Sequence, residues 1–115
     1  PQPAGAFHHS VRFGNMLFIA GSTARGTAAE TGDIAAQTEV ILQKFQTILE
    51  ANGGSISNIV KVTSFVTDLR EAPASGEVRR KYFEGNFPAS TQVQVAALGT
   101  PDIKIEIEAI AVLPD

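Results

Sequence analysis

The period at which apolar residues recur changes along the chain, and each change marks an element. Val11 to Phe13 and Met16 to Ala20 are short apolar runs on either side of Gly14-Asn15, a pair suited to the positive φ angles of a tight turn. They predict a β-hairpin closed by Gly21. From Ser22 to Gly32 small and polar residues take over, the composition of a surface loop or an irregular edge strand. After Asp33, which can cap a helix, Ile34, Thr38, Ile41, Leu42, Phe45, Ile48 and Leu49 recur three and four residues apart until Asn52-Gly53-Gly54. This spacing predicts one long amphipathic helix. Ile59 to Thr67 is rich in β-branched residues and alternates between the faces Ile59/Lys61/Thr63/Phe65 and Val60/Val62/Ser64/Val66, as a strand does. Pro73 suits the first turn of a second helix, with Val78, Tyr82 and Phe83 as its apolar stripe and Gly85 and Pro88 as its end. Thr91 to Ala97 and Lys104 to Val112 are expected as strands joined through Gly99-Thr100-Pro101-Asp102, and Pro1 to Phe7 as an extended lead-in.

The resulting order, ββ(β)αβαββ, implies an α+β sandwich: a mixed sheet of six strands, if the bracketed one forms, with both helices on one face. In the last strand Ile105, Ile107, Ala109 and Ala111 point one way, while Lys104, Glu106, Glu108, Ile110 and Val112 point the other. The helix-free face, taken to carry Thr63, Gln92, Gln94, Glu106 and Ile110, is expected to be covered by further copies of the chain, because bare Ile110 and Val112 on a long strand are unfavourable.

Composition narrows the function. A chain of 115 residues and 12.1 kDa, 43% hydrophobic, is expected to form one domain over residues 1–115 with one core. Nine Lys and Arg against twelve Asp and Glu give a net charge of −3 and a pI near 5.3, which disfavours a nucleic-acid partner. The absence of Cys removes disulfides, thiolate metal sites and a cysteine nucleophile. No apolar run is long enough to span a membrane and no leader pattern precedes the hairpin, so a cytoplasmic location is the default expectation; starting at Pro1, the chain reads as trimmed or processed.

Several stretches taken together resemble one family: Gly14-Asn15-Met16-Leu17-Phe18-Ile19-Ala20-Gly21, Gln37-Thr38, Ile48-Leu49-Glu50-Ala51-Asn52-Gly53-Gly54, Val60-Lys61-Val62-Thr63-Ser64-Phe65-Val66, Phe87-Pro88-Ala89, and Ile105-Glu106-Ile107-Glu108-Ala109-Ile110-Ala111. They look like the Rid/YjgF family of reactive-intermediate deaminases. The likeness implies a homotrimer of a chorismate-mutase-like α+β fold. It also implies a site between neighbouring subunits that hydrolyses enamines and imines to ketones and ammonia without a cofactor. Gly5-Ala6-Phe7 and Gly21-Ser22-Thr23-Ala24-Arg25 are similar to motifs of a branch that includes 2-aminomuconate deaminases. The chain also departs from the family pattern. Where members carry Pro-Ala-Arg, whose arginine grips the substrate carboxylate, this chain reads Pro88-Ala89-Ser90. A family tyrosine is replaced by Phe7, a serine by Ala20 and a helix asparagine by Gly76, and Arg79 stands where relatives often have a tyrosine. A serine offers one neutral donor in place of a charged fork, so the usual 2-imino acids are expected to be poor substrates.

Glu106 is the candidate catalytic residue, because hydrolysis of a C=N bond needs a group that orients or deprotonates water, and a partly buried carboxylate does this near neutral pH. The plainer alternative is a solvated strand glutamate paired with Lys61 or Lys104. Arg25, in a small-residue loop after a strand, is the candidate anchor for the carboxylate of an acidic small-molecule substrate, with Arg12, Arg79 and Arg80 as alternatives and Arg79 read as a surface or interface change. Phe7, Ala20, Gly21, Ser90 and Gln92 complete the candidate substrate pocket. His8 and His9 point to opposite sides of an extended segment and are not expected to share a metal, though one of them, near Phe7, is an alternative ligand or proton-transfer contact. Ser22, Thr23 and Ser90 read as hydrogen-bond donors, since no base accompanies them. The function expected is a deaminase of an enamine or imine of a small acid. Its rival is a non-catalytic trimeric module that binds a metabolite or a protein in the inherited cleft, and RNA binding ranks third.

Overall fold

A computed structural model describes residues 5–114 of the chain. The expected lead-in therefore lies outside the described residues over positions 1–4. The elements are β1 (Ser10–Phe13), β2 (Met16–Ser22), α1 (Ile34–Ala51), β3 (Ile59–Val66), α2 (Ala72–Phe83), β4 (Ala89–Gln94) and β5 (Ile105–Val112), with single 3-10 turns at Ala28–Thr31, Ile56–Asn58 and Leu69–Glu71. Among the described residues the sheet has five strands in the order β1-β2-β5-β3-β4, not the six expected. The bracketed strand is absent because residues 28–31 turn instead: the Thr27 side chain accepts from the Ala29 amide and starts a 3-10 helix.

Most of the elements follow from local chemistry. Gly14 takes a φ of 62°, which lets a two-residue turn pair Phe13 with Met16. Asp33 caps α1 by accepting from the Ala36 amide at 2.9 Å, and the helix stops where Gly53 enters the left-handed region with φ 78°. β3 and β4 are parallel, a pairing that requires a crossover, and α2 supplies it. The remaining pairs are antiparallel, so the sheet is mixed as expected.

The core lies between the sheet and the helices. Leu17, Ile19, Val62, Val66, Ile105, Ile107, Ala109 and Ala111 meet Ile34, Ile41, Leu42, Phe45 and Leu49 from α1 and Val78 and Phe83 from α2. Ile59 also joins this core while Val60 is exposed, the reverse of the alternation expected for β3. The register explains it: Ile59 pairs with Ala111 but Lys61 already pairs with Ile110, so Val60 is an extra residue and a bulge turns Ile59 inward.

One buried side chain fastens the loops to this core. Gln37, fully buried on α1, donates through Nε2 to the carbonyls of Asp102 (2.8 Å), Glu30 (3.0 Å) and Gly32 (3.3 Å), while its Oε1 accepts from the Lys104 amide at 2.8 Å. It thereby joins the loop after β2 and the start of β5 to one helix. Gln37→Leu keeps the bulk but strands these backbone groups away from water, and is expected to lower stability by about 2–3 kcal/mol. Denaturant unfolding at fixed protein concentration checks this; a loss within about 0.5 kcal/mol, the usual surface range, would show that the loops do not depend on the amide.

Candidate functional site

Glu106 sits on β5 opposite Phe65 of β3, on the sheet face that carries no helix, and is partly buried. What buries it is backbone. β2 and β5 pair regularly from Met16 to Ile19 and again at Ser22 with Ile107, so Ala20 and Gly21 together face one β5 residue. This bulge carries Gly21 against the Glu106 side chain, where a Cβ at position 21 would overlap carboxylate oxygen Oε2. Glycine is required here by close approach. The Ala20 amide donates to the His9 carbonyl at 2.9 Å, tying the segment before β1 to the bulge, and the half-exposed Phe7 ring meets His9 edge-on with centroids 6.3 Å apart.

Burial pushes the Glu106 carboxyl above the usual carboxylate range, and the negative charge of nearby Glu108 adds to the shift. No salt bridge among the described residues includes Glu106. Lys61, one of the two lysines that could have neutralised it, is spent on the Thr91 hydroxyl (2.8 Å) and the Val62 carbonyl (3.1 Å). The carboxylate is thus partly desolvated and pairs with no cation among the described residues, which favours a proton acceptor over a structural ion pair.

A second group forms at the opposite side of the sheet. In the parallel β3–β4 pair Ser90 registers with Val62, and Gln92 and Gln94 with Ser64 and Val66, all residues turned toward the helices. This corrects the expected placement: Gln92 and Gln94 do not share a face with Glu106. The whole of β4 is exposed along the sheet edge, and Arg79 of α2, half-buried, reaches it with Nη2 donating to Ser90 Oγ at 2.9 Å. Burial lowers the pKa of this guanidinium. Arg25 is exposed, and its Nη1 lies 3.9 Å from where a Cβ on Gly99 would be. The structure therefore brings Gly21, Ala20 and Glu106 together on one face and Ser90 and Arg79 together on the other. The Arg79 contact had no signal in residue spacing, since it arises only when the α2 crossover lays the helix over β4.

The helix-free face around Glu106 is mixed, an apolar patch beside the polar row of Glu108, Thr63 and Thr91. Val11, Phe18 and Ile110 align across three strands, with Phe65 and Val93 in the row of Glu106, and Val11, Phe18, Val93 and Val112 are exposed. Two surface hollows, of about 500 Å³ beside Glu39, Lys81 and Tyr82 and about 420 Å³ along residues 96–101, include neither Glu106 nor Ser90. Among the described residues no helix is long and apolar enough to cross a membrane.

Comparison with known proteins places this arrangement. Residues 1–113 match the family model described as Endoribonuclease L-PSP. A RutC family protein of Pyrococcus horikoshii is 38% identical over 114 residues, covering 96% of this chain and 90% of that protein. The 2-iminobutanoate/2-iminopropanoate deaminase of Dermatophagoides farinae is 31% identical over 116 residues, covering 98% and 90%. Among solved structures, Escherichia coli TdcF with bound serine superposes with a TM-score of 0.87 at 33% identity, covering 99% of this chain and 93% of that one. A Mycobacterium tuberculosis member of the YjgF/YER057c/UK114 family gives 0.84 at 33%, covering 93% and 86%. The chain belongs to this family, the Rid/YjgF family of reactive-intermediate deaminases.

The raised Glu106 pKa makes a prediction about stability. The folded chain holds this proton more tightly than the unfolded chain, so ionising Glu106 works against folding. The benefit is complete below the unfolded value of about 4.3 and is lost as pH rises through the raised folded value. Glu106→Gln is expected to melt at a higher temperature than the parent at pH 7, with the gap closing toward about pH 4. A variant that melts lower at pH 7 would mean that favourable contacts hold the ionised carboxylate.

Proposed function

We propose that the chain is a cofactor-free deaminase that hydrolyses an enamine or imine of a small acid, with an aminomuconate-type intermediate as the substrate class, at a site completed by neighbouring copies in a cytoplasmic homotrimer. The observation that carries this reading is the partly buried Glu106 carboxylate, resting on Gly21 and paired with no cation among the described residues. The family includes proteins named as imine deaminases, and one relative is solved with a small amino acid bound, which supports the substrate class.

An enamine first takes a proton at carbon and becomes the iminium. Water then adds to the C=N carbon while Glu106 accepts one of its protons. The proton passes from Glu106 to the nitrogen, the C–N bond breaks and ammonia leaves, and the hydroxyl gives its proton to Glu106 or water as the carbonyl forms, which balances the proton first taken up at carbon. A carboxylate with a raised pKa is suited to both halves, since it is a stronger base toward water and returns the proton more readily near neutrality. The exposed Val11, Phe18, Val93 and Val112 on this face support the homotrimer, because further copies would bury them and dry the surroundings of Glu106. The binding-module alternative keeps one observation in its favour: Phe7 and Ala20 offer no hydroxyl to a substrate.

Ammonia release from a panel of enamine acids that includes 2-aminomuconate tests the reaction. Glu106→Gln is expected to lower kcat by about 10²–10⁴ with the assembly intact. The parent rate is expected to rise with pH, with its acid midpoint above the ordinary glutamate value of about 4.3. No ammonia from any substrate with the parent protein would favour the binding module. In light scattering the chain is expected at about three times its 12.1 kDa mass at micromolar concentration. A stable monomer there would leave the apolar face and the shared site without support.

A further inference from the structure

Charge pairing separates the arginines of the chain. Arg70 is locked to Asp68, with Nη2 2.8 Å from Oδ2 and Nε donating to both carboxylate oxygens. Arg80 leans on Glu77 at 3.6 Å, Arg12 donates to the carbonyls of Gly14 and Asn52, and Arg25 is exposed. Arg79 differs from all of these. It is half-buried, it forms no salt bridge among the described residues, and its hydrogen-bond partner is the neutral hydroxyl of Ser90. A guanidinium carries a planar fork of N–H donors, and one serine oxygen uses only a part of it. A cation that has lost water without gaining an anion is a site for one, and a carboxylate matches its fork. The lowered pKa of Arg79 records the same desolvation.

Geometry then says whose chemistry this cation serves. Ser90 faces the helix side of β4, at the sheet edge, and Glu106 faces the other side of β5, with β3 between them. One small substrate cannot touch both within a single chain. Two copies can bring them together, if the exposed edge of one meets the helix-free face of the next. We propose that Arg79, braced by Ser90, is the carboxylate-binding residue for the substrate, held out by one copy toward Glu106 of its neighbour. Gln92, on the same side of β4 as Ser90, is placed to assist. The proposal rests on the deaminase reading for the identity of the substrate.

The experiment compares Arg79→Ala, Arg79→Lys and Arg25→Ala in the full chain, each confirmed by light scattering to keep the parent's assembly. With an acidic enamine substrate, Arg79→Ala is expected to raise KM at least about tenfold with kcat within a few-fold. Arg79→Lys is expected to recover part of that loss, because charge is restored but the fork is not. A neutral imine without a carboxylate should barely distinguish Arg79→Ala from the parent. An unchanged KM in Arg79→Ala, or a rise of that size in Arg25→Ala instead, overturns the proposal. A mixing experiment tests the sharing between copies. Glu106→Gln and Arg79→Ala chains, denatured together and refolded, should recover activity at low substrate, with about one site in four holding both intact groups. No recovery would mean that the two residues do not build one shared site, and would overturn the proposal. If the parent protein releases no ammonia at all, calorimetry with 2-oxobutanoate, a carboxylate shaped like a deamination product, still decides the matter. Binding by the parent and not by Arg79→Ala would uphold the anion site while the deaminase reading fails, and equal binding or none by either would end it.

Discussion

The helices of this chain cover one side of its sheet, and the other side is left to be buried by something else. That constraint organises the molecule. On the covered side β5 presents Ile105, Ile107, Ala109 and Ala111 to α1, and the period-two alternation of a strand then turns Glu106, Glu108, Ile110 and Val112 outward. A central strand cannot bury both of its faces with only two helices available. The outward face therefore holds apolar residues that favour cover and a carboxylate that resists losing water. The raised pKa of Glu106 already shows that conflict within the single chain. Covering the face further would sharpen it, and a carboxylate poised in this way is useful to a hydrolase.

Two bulges set the details. In β2 the extra residue brings Gly21 beneath the Glu106 carboxylate, and in β3 it exposes Val60 and returns Ile59 to the core. Bulges re-aim side chains locally while the ladder on either side keeps its register. The first shapes the surroundings of the candidate base; the second keeps the long β3–β5 pairing in phase with the helices.

The readable parts of the sequence were those governed by local rules. The Gly14-Asn15 turn, the Asp33 cap, the α1 stripe and its Gly53 stop depend on residues within a few positions of one another, and they appear where expected. Glu106 was also legible, because its outward direction follows from alternation along β5. What depends on distant pairing was not. The side on which Gln92 lies is decided by its register with Ser64, and the inward turn of Ile59 by a bulge that alternation does not reveal. A sixth strand was expected where the Thr27 hydroxyl starts a turn. The contact between Arg79 and Ser90 depends on how α2 lies over an edge strand, so residue types read one position at a time left Arg79 on the surface.

Gln37 joins segments that are far apart in sequence: its amide reaches Glu30 and Gly32 on one side and Asp102 and Lys104, sixty-five and sixty-seven residues away, on the other. The local half of this link needs only the start of α1, while the other half closes a loop of more than sixty residues, so the full set of bonds can form only once the two ends of the chain have met. The same linkage works in reverse. Undocking the start of β5 would free the Gln37 amide from Asp102 and Lys104 while it still holds Glu30 and Gly32, so a loop that looks peripheral is tied through one side chain to the opening of that strand.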